Sequence, residues 1–258
     1  LGTVALAAGN RITLDFAGDG LTSIRVDEAA LRAAVTNSGV VAADGGRIVL
    51  AARAANALTQ TVVNQSGTAR ARTLVQRGGE IILDGGDEGA TALTGALDAS
   101  GLAAGMVGGT AHVLGRYVGV SGAVDARGDA GGGTVLVGGG LQGRDRSVRN
   151  AQATFVGKDA SIRADAITRG NGGKAVVWGT DSARVHGTLS ARGGAQGGNG
   201  GMVETSGKHL DVAGARINVS APRGKGGEWL LDPNNVTIVG GDEPEAEGIA
   251  AFATDVVL

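Results

Sequence analysis

A Gly-Gly pair that opens a short β-prone run recurs along the chain. Gly45-Gly46 precedes Arg47-Ile48-Val49-Leu50, Gly78-Gly79 precedes Glu80-Ile81-Ile82-Leu83, Gly172-Gly173 precedes Lys174-Ala175-Val176-Val177-Trp178, and Gly226-Gly227 precedes Glu228-Trp229-Leu230-Leu231. Weaker copies begin at Gly108-Gly109, Gly132-Gly133 and Gly200-Gly201. Between second glycines the steps are 33, 30, 24, 40, 28 and 26 residues, from positions 46, 79, 109, 133, 173, 201 and 227. Imperfect periods of this size mark a repeat architecture whose coils carry insertions of varying length. Such an object is long and offers a surface, which narrows function before any catalytic residue is sought.

A second strand type follows a single glycine and ends in a small or polar turn. Gly95-Ala96-Leu97-Asp98-Ala99-Ser100 is one copy; Gly122-Ala123-Val124-Asp125-Ala126-Arg127, Gly187-Thr188-Leu189-Ser190-Ala191-Arg192 and Gly214-Ala215-Arg216-Ile217-Asn218-Val219-Ser220 are others. Apolar and polar residues alternate in these runs, as half-buried strands require. Glycine and asparagine at their ends supply the positive φ of sharp corners. Two strands and their corners per repeat describe an all-β fold, a parallel β-helix (β-solenoid) of roughly nine to ten irregular coils. At ~4.8 Å per coil the rod is about 45 Å long, and its hydrogen bonds run between coils rather than within them.

Composition agrees. Aromatic residues are 2% of the chain, so Val, Ile, Leu and Ala must fill the interior, and 42% hydrophobic content argues against the disorder that 49 glycines in 258 residues would otherwise suggest. The pattern breaks in three places. Asp27 to Val35 is rich in helix formers and reads as a short helix or irregular corner. Gly143-Arg144-Asp145-Arg146-Ser147-Val148-Arg149-Asn150 reads as a projecting loop. Residues 241–258 read as an acidic linker or the start of a further segment, leaving 1–240 as β-helix. Leu1 opens directly into strand-like sequence, so the expectation is a piece of a longer chain.

Chemistry is sparse. A net charge of −2 offers no basic footprint for nucleic acid, no apolar run is long enough for a membrane span, and cysteine is absent. Gly138-Gly139-Gly140-Leu141-Gln142-Gly143 satisfies G-x-G-x-x-G, but a polar loop follows where a dinucleotide site needs a helix. In Gly197-Gly198-Asn199-Gly200-Gly201-Met202, Met202 stands where a calcium-binding nonapeptide needs Asp. His112, His186 and His209 are too scattered for a metal motif. Asp98 and Asp125 occupy equivalent places and could stack, a row that ends at Ser190 and is explained by a solvated turn. Asn64, Asn218 and Asn235 head glycosylation-type tripeptides. No catalytic residue, metal or cofactor is assigned. The structural residues are the turn glycines Gly45, Gly46, Gly78, Gly79, Gly172, Gly173, Gly200, Gly201, Gly226 and Gly227. The candidate binding surface is Arg144, Arg146, Arg149, Trp178 and Trp229, with both tryptophans in equivalent strands.

The run from Gly170-Asn171-Gly172-Gly173 to Val177-Trp178, then Ser190-Ala191-Arg192-Gly193-Gly194, Gly197-Gly198-Asn199-Gly200-Gly201, Val203-Glu204-Thr205-Ser206-Gly207 and Trp229-Leu230-Leu231-Asp232-Pro233, resembles filamentous-haemagglutinin-like exoproteins of bacterial two-partner secretion. The similarity extends over nearly the whole chain and is strongest at 170–238. It implies a right-handed β-helix, passage through a dedicated outer-membrane transporter, and a secreted or Gram-negative surface location. It also implies a role in an adhesin or biofilm matrix, with a host-cell or matrix carbohydrate or protein as ligand. The family's secretion domain lies at the N-terminus of the full protein. Its Asn-Pro-Asn-Leu and Asn-Pro-Asn-Gly-Ile motifs are absent here, so the resemblance sets this chain after that domain as a rigid stalk. A binding segment using the 143–150 loop, and a polysaccharide-degrading enzyme, are the two rival readings.

Overall fold

The computed structural model describes residues 2–15, 23–55, 61–74, 78–233 and 256–257. The chain winds into a β-solenoid of about seven coils with three sheet faces. The first face stacks Thr3–Ala8, Arg47–Ala52, Glu80–Asp84, Thr110–Leu114 and Thr134–Val137, then the leading halves of Lys174–Val185 and Met202–Asp211, then Glu228–Pro233. The second face stacks Val35–Asn37, Thr61–Gln65, Ala90–Leu93, Tyr117–Val120 and Ala153–Val156 under the trailing halves of the two long strands. The third face stacks Val40–Ala42, Thr68–Arg70, Ala96–Asp98, Ala123–Asp125, Ser161–Arg163, Thr188–Ser190 and Arg216–Asn218. Every pairing between coils is parallel.

Two expectations change in kind. There are three strands per coil rather than two, because the second-face strands carry no leading Gly-Gly and do not stand out in the sequence. With three strands in each turn the residues make about seven coils, not nine or ten. At ~4.8 Å per coil the stack is roughly 34 Å long.

The interior is a set of side-chain ladders fixed by register. On the third face Val41, Ala69, Leu97, Val124, Ile162, Leu189 and Ile217 stack in line. On the first face the same holds for Ile48, Ile81, Ala111, Val135, Ala175, Val203 and Trp229. Both ladders belong to one continuous core. Each Leu or Ile buried there contributes ~1.5–3 kcal/mol relative to exposure. One ladder becomes polar near its start, where Asn37 Nδ2 donates to Gln65 Oε1 at 3.0 Å before Leu93, Val120, Val156 and Val185 continue the row.

Among the described residues two elements leave the winding, and both lie on the first face. An antiparallel hairpin of Arg11–Asp15 and Ser23–Glu28 lays Val26 on Val49 and Ala51. Downstream of it no helix forms in 27–35. Ala30–Leu31 is a short strand, Arg32 turns at φ 60°, and Val35 enters the second face, so the segment is an irregular corner. The second element spans 138–150. It does not project: it is a strap folded flat against the rod. The acidic stretch from Asp242 to Glu247 lies outside the described residues.

Candidate functional site

The turn glycines divide by the reason each position needs glycine. Of the ten, Gly45 alone has a positive φ, at 71°. Seven (Gly46, Gly79, Gly172, Gly173, Gly200, Gly201 and Gly227) are held by close approach, since a Cβ on any of them would fall within 3.0 Å of backbone atoms. The second glycines form a ladder: a Cβ on Gly133 would strike the carbonyl oxygen of Gly109, one on Gly173 that of Gly133, one on Gly201 that of Gly173, and one on Gly227 that of Gly201. Gly78 and Gly226 meet no such obstacle. The expected positive φ is therefore not the reason for the pairs; tight stacking of coil on coil is.

The same glycines close the corners. The amide N–H of Gly109, Gly133, Gly173, Gly201 and Gly227 donates to the carbonyl of Ala99, Ala126, Ala164, Ala191 and Val219 respectively, at 2.7 Å in all five. These bonds link the end of a third-face strand to the start of the next turn. Hydrogen bonding thus runs along the winding at the corner between the third and first faces as well as between coils.

The proposed binding residues do not converge. Trp229 points inward, buried in the core, and its indole Nε1 donates to Thr205 Oγ1 at 3.1 Å. Trp178 lies on the same face three residues further along the register, outside the rod and under the strap. Both are packing residues. Arg149 is also engaged, through Asp84 at 3.1 Å and through Asp87. Arg144 and Arg146 are exposed on the strap.

The strap is built from contacts the sequence reading overlooked. Val148 and Leu141 pack with Trp178 on Leu114, Leu136 and Val176, making a second apolar cluster on the outside of the first face. A single 3-10 turn, Leu141–Gly143, follows the strand Thr134–Val137 where a nucleotide-binding fold would start an α-helix. Its Gln142 N–H donates to both carboxylate oxygens of Glu204 at 3.0 Å, and Ser206 Oγ donates to Glu204 Oε1 at 2.7 Å. Glu204 is wholly buried. Burial pushes its carboxyl up and Asp232 adds to this; the Ser206 and Gln142 hydrogen bonds and Lys174 oppose without cancelling it. One sequence signal marks this cover. The runs Ile48-Val49-Leu50-Ala51-Ala52, Val135-Leu136-Val137 and Ala175-Val176-Val177 do not alternate, as befits strands buried on both sides.

Between hairpin and strap lies an open groove of about 350 Å³, floored by Val49, Ile82 and Leu114 and edged by Arg47 and Glu80, which pair with each other. His112 lines it, and burial lowers its pKa below that of a free imidazole. His186 is elsewhere, its Nδ1 2.7 Å from the Ala213 carbonyl, and His209 is exposed on the second face. Among the described residues no cluster of His, Cys, Asp and Glu could hold a metal ion.

Asp98 and Asp125 do stack in register, but the next position is Arg163, with Ser190 after it. Both carboxylates are neutralised. Asp98 pairs with Arg72 at 2.7 Å, and Asp125 with Arg127 at 2.6 Å and Arg163 at 3.4 Å. Burial raises the Asp125 carboxyl, yet the Arg127 side chain and backbone N–H, helped by Arg163, outweigh it and leave the pKa below the usual value. Asp98 and Asp125 also accept the backbone N–H two residues on, as Asn218 does, so these side chains form the corner turns. Asn64 and Asn218 lie on outer faces, and Asn235 lies outside the described residues.

No protein-family model matches the chain, and no curated protein matches it. Among solved structures it is similar to the HMW1 secretion domain from Haemophilus influenzae, with a TM-score of 0.71 and 30% sequence identity. That similarity covers 89% of this chain and 57% of the secretion domain, so the chain spans little more than half of its neighbour's length. The neighbour is itself a secretion domain, whereas the missing sequence motifs had set this chain after one. In its solenoid and in nearly a third of its aligned residues, the chain is similar to the secretion domain of a two-partner secretion exoprotein.

Proposed function

We propose that the chain is a structural segment of a large two-partner secretion exoprotein. Its coils are of the secretion-module kind, it passes the outer membrane through that system's transporter, and it acts at the cell surface as a rigid scaffold for an adhesive or matrix-forming protein. The observation that carries this reading is the likeness, over most of the chain, to a secretion domain. The packing supports it: most of the turn glycines stack coils or close corners, Trp229 fills the core, Trp178 and Arg149 hold the strap, and the stacked carboxylates are spent on ion pairs. An enzymatic reading finds no free carboxylate pair on that row.

The test is a replacement in the full-length exoprotein, with residues 40–233 exchanged for an unrelated β-solenoid of equal coil number. Surface delivery and cell adhesion are both scored. Retention of both is the expected result. Loss of delivery would mean that these coils carry export information of their own, and would overturn the scaffold reading. Delivery without adhesion would place the adhesive surface within these residues.

A further inference from the structure

The hairpin and the strap both lie on the first face, and the outer side of the second face carries a shallow groove of about 460 Å³. Ala92, Gly119, Phe155 and Arg184 succeed one another in one outward row, a coil apart, with Tyr117, Ala153 and Ser182 in the row beside it. The groove passes through Ser182 and Arg184 into a second basin of the same size that adds Lys208 and His209.

Phe155 is 46% exposed, although the chain has only three phenylalanines. An outward strand position of this kind is served by any polar residue, so the apolar ring forfeits part of the ~1.5–3 kcal/mol that full burial would return. Its place is defined. The ring lies over Gly157, where a Cβ would stand 3.4 Å from it, and against His186 at a centroid distance of 5.9 Å. That turns it away from Gly119, whose missing side chain leaves a notch: a Cβ there would meet nothing within 4 Å. Tyr117 is held as firmly. Its hydroxyl donates to Gln152 Oε1 at 3.1 Å, and the Arg116 guanidinium sits 5.7 Å from its ring centroid. Two fixed aromatic rings thus flank an alanine and glycine floor.

At the far end the charges are uneven. Asp181 accepts from Gln152 Nε2, and Asp211 faces His186 at 3.6 Å. Among the described residues no carboxylate pairs with Arg184 or Lys208. A guanidinium and an ammonium left unpaired beside an aromatic platform suit a ligand with flat apolar faces and regularly spaced anionic groups. The floor is the face of a sheet and not an edge, so a peptide strand would find no free backbone groups to extend.

We propose that the second face binds an acidic polysaccharide lying along the rod. Pyranose rings rest on Tyr117 and Phe155 over the Gly119 notch, and carboxylate or sulfate groups face Arg184 and Lys208. Successive coils ~4.8 Å apart supply Tyr117, Phe155 and Arg184 in turn, at a step close to the length of one sugar ring, so a linear polymer parallel to the axis meets one of these groups per coil.

Calorimetric titration of the intact chain tests this, with an oligogalacturonate, a sulfated galactan oligosaccharide, a neutral oligosaccharide of equal length and inorganic polyphosphate as probes. Phe155→Ala, Gly119→Val and the pair Arg184→Gln with Lys208→Gln all change outward groups, and unchanged circular dichroism checks that each variant folds. At least one acidic oligosaccharide should bind, and each variant should weaken it tenfold or more; preference between the two distinguishes carboxylate from sulfate. Any binding of polyphosphate should be indifferent to Phe155→Ala and Gly119→Val. The proposal is overturned if neither acidic probe binds, if the neutral one binds as tightly, or if Phe155→Ala and Gly119→Val leave acidic binding unchanged. The proposal is independent of the scaffold reading, because it is read on the isolated chain and not by surface delivery.

Discussion

Gly173 and Gly226 belong to the same kind of Gly-Gly pair, yet their neighbours differ. A Cβ at Gly173 would collide with the backbone of Gly132 and Gly133 in the preceding coil, whereas one at Gly226 meets nothing within 4 Å. Gly173→Ala should therefore cost ~1–3 kcal/mol through overpacking, and Gly226→Ala should stay within about 0.5 kcal/mol of the parent. Urea denaturation midpoints of the two variants check this; equal values would refute the glycine ladder. Asp125 carries a pH prediction. Its folded pKa lies below the ordinary carboxylate value of 3.8, so its contribution is fully present above that value and is lost as pH falls through the lowered one. Asp125→Asn should cost about 1 kcal/mol at pH 7 and progressively less in acid, as chemical denaturation at several pH values would record. The alternating Asp and Arg positions were visible in the sequence, but their pairing was not: only the register, which sets Arg163 beside Asp125, shows that this carboxylate is engaged across coils.

At the scale of elements, the strap shows how polar sequence conceals a packed structure. Residues 143–150 contain three arginines and an aspartate, and on composition alone they read as a projecting loop. One apolar residue, Val148, and one backbone N–H, that of Gln142, decide otherwise by docking on Trp178 and Glu204. Trp178→Ala should free the strap and raise the rate of tryptic cleavage after Arg144 and Arg146 at least tenfold, with cleavage at other arginines unchanged. If the rate is unaltered, the strap is not held by this cluster. Glu204 acts in the opposite sense to Asp125. Its folded pKa is raised, so its ionisation penalises the fold above 4.5, increasingly until the raised value is passed. A Glu204→Gln variant should show less loss of stability between pH 4.5 and pH 8 than the parent does. The hairpin and the second-face strands escaped the sequence reading for different reasons. The hairpin pairs locally and has no repeat, while Ala90–Leu93 and Tyr117–Val120 put Ala, Tyr and Gly outward and have no Gly-Gly pair directly before them.

For the whole molecule, the glycine period and the scarcity of aromatic residues were enough to specify stacked parallel coils, because a narrow interior accepts only small aliphatic ladders. They did not specify how many strands make a coil. That number depends on where the chain turns, and the turn between the first and second faces carries no Gly-Gly pair in the two long strands: Lys174–Val185 and Met202–Asp211 run through it with lone glycines, Gly179 and Gly207, held by close approach. Every coil but the terminal ones is locked on both sides, so opening should be cooperative and hardest in the middle of the stack. Hydrogen exchange followed by mass spectrometry on the purified chain tests this most directly. Slow, matched exchange is predicted for peptides covering Thr110–Leu114, Tyr117–Val120 and Ala123–Asp125, the three sides of one coil, with faster exchange toward Thr3–Ala8. Rapid exchange confined to Tyr117–Val120 would contradict a three-faced solenoid.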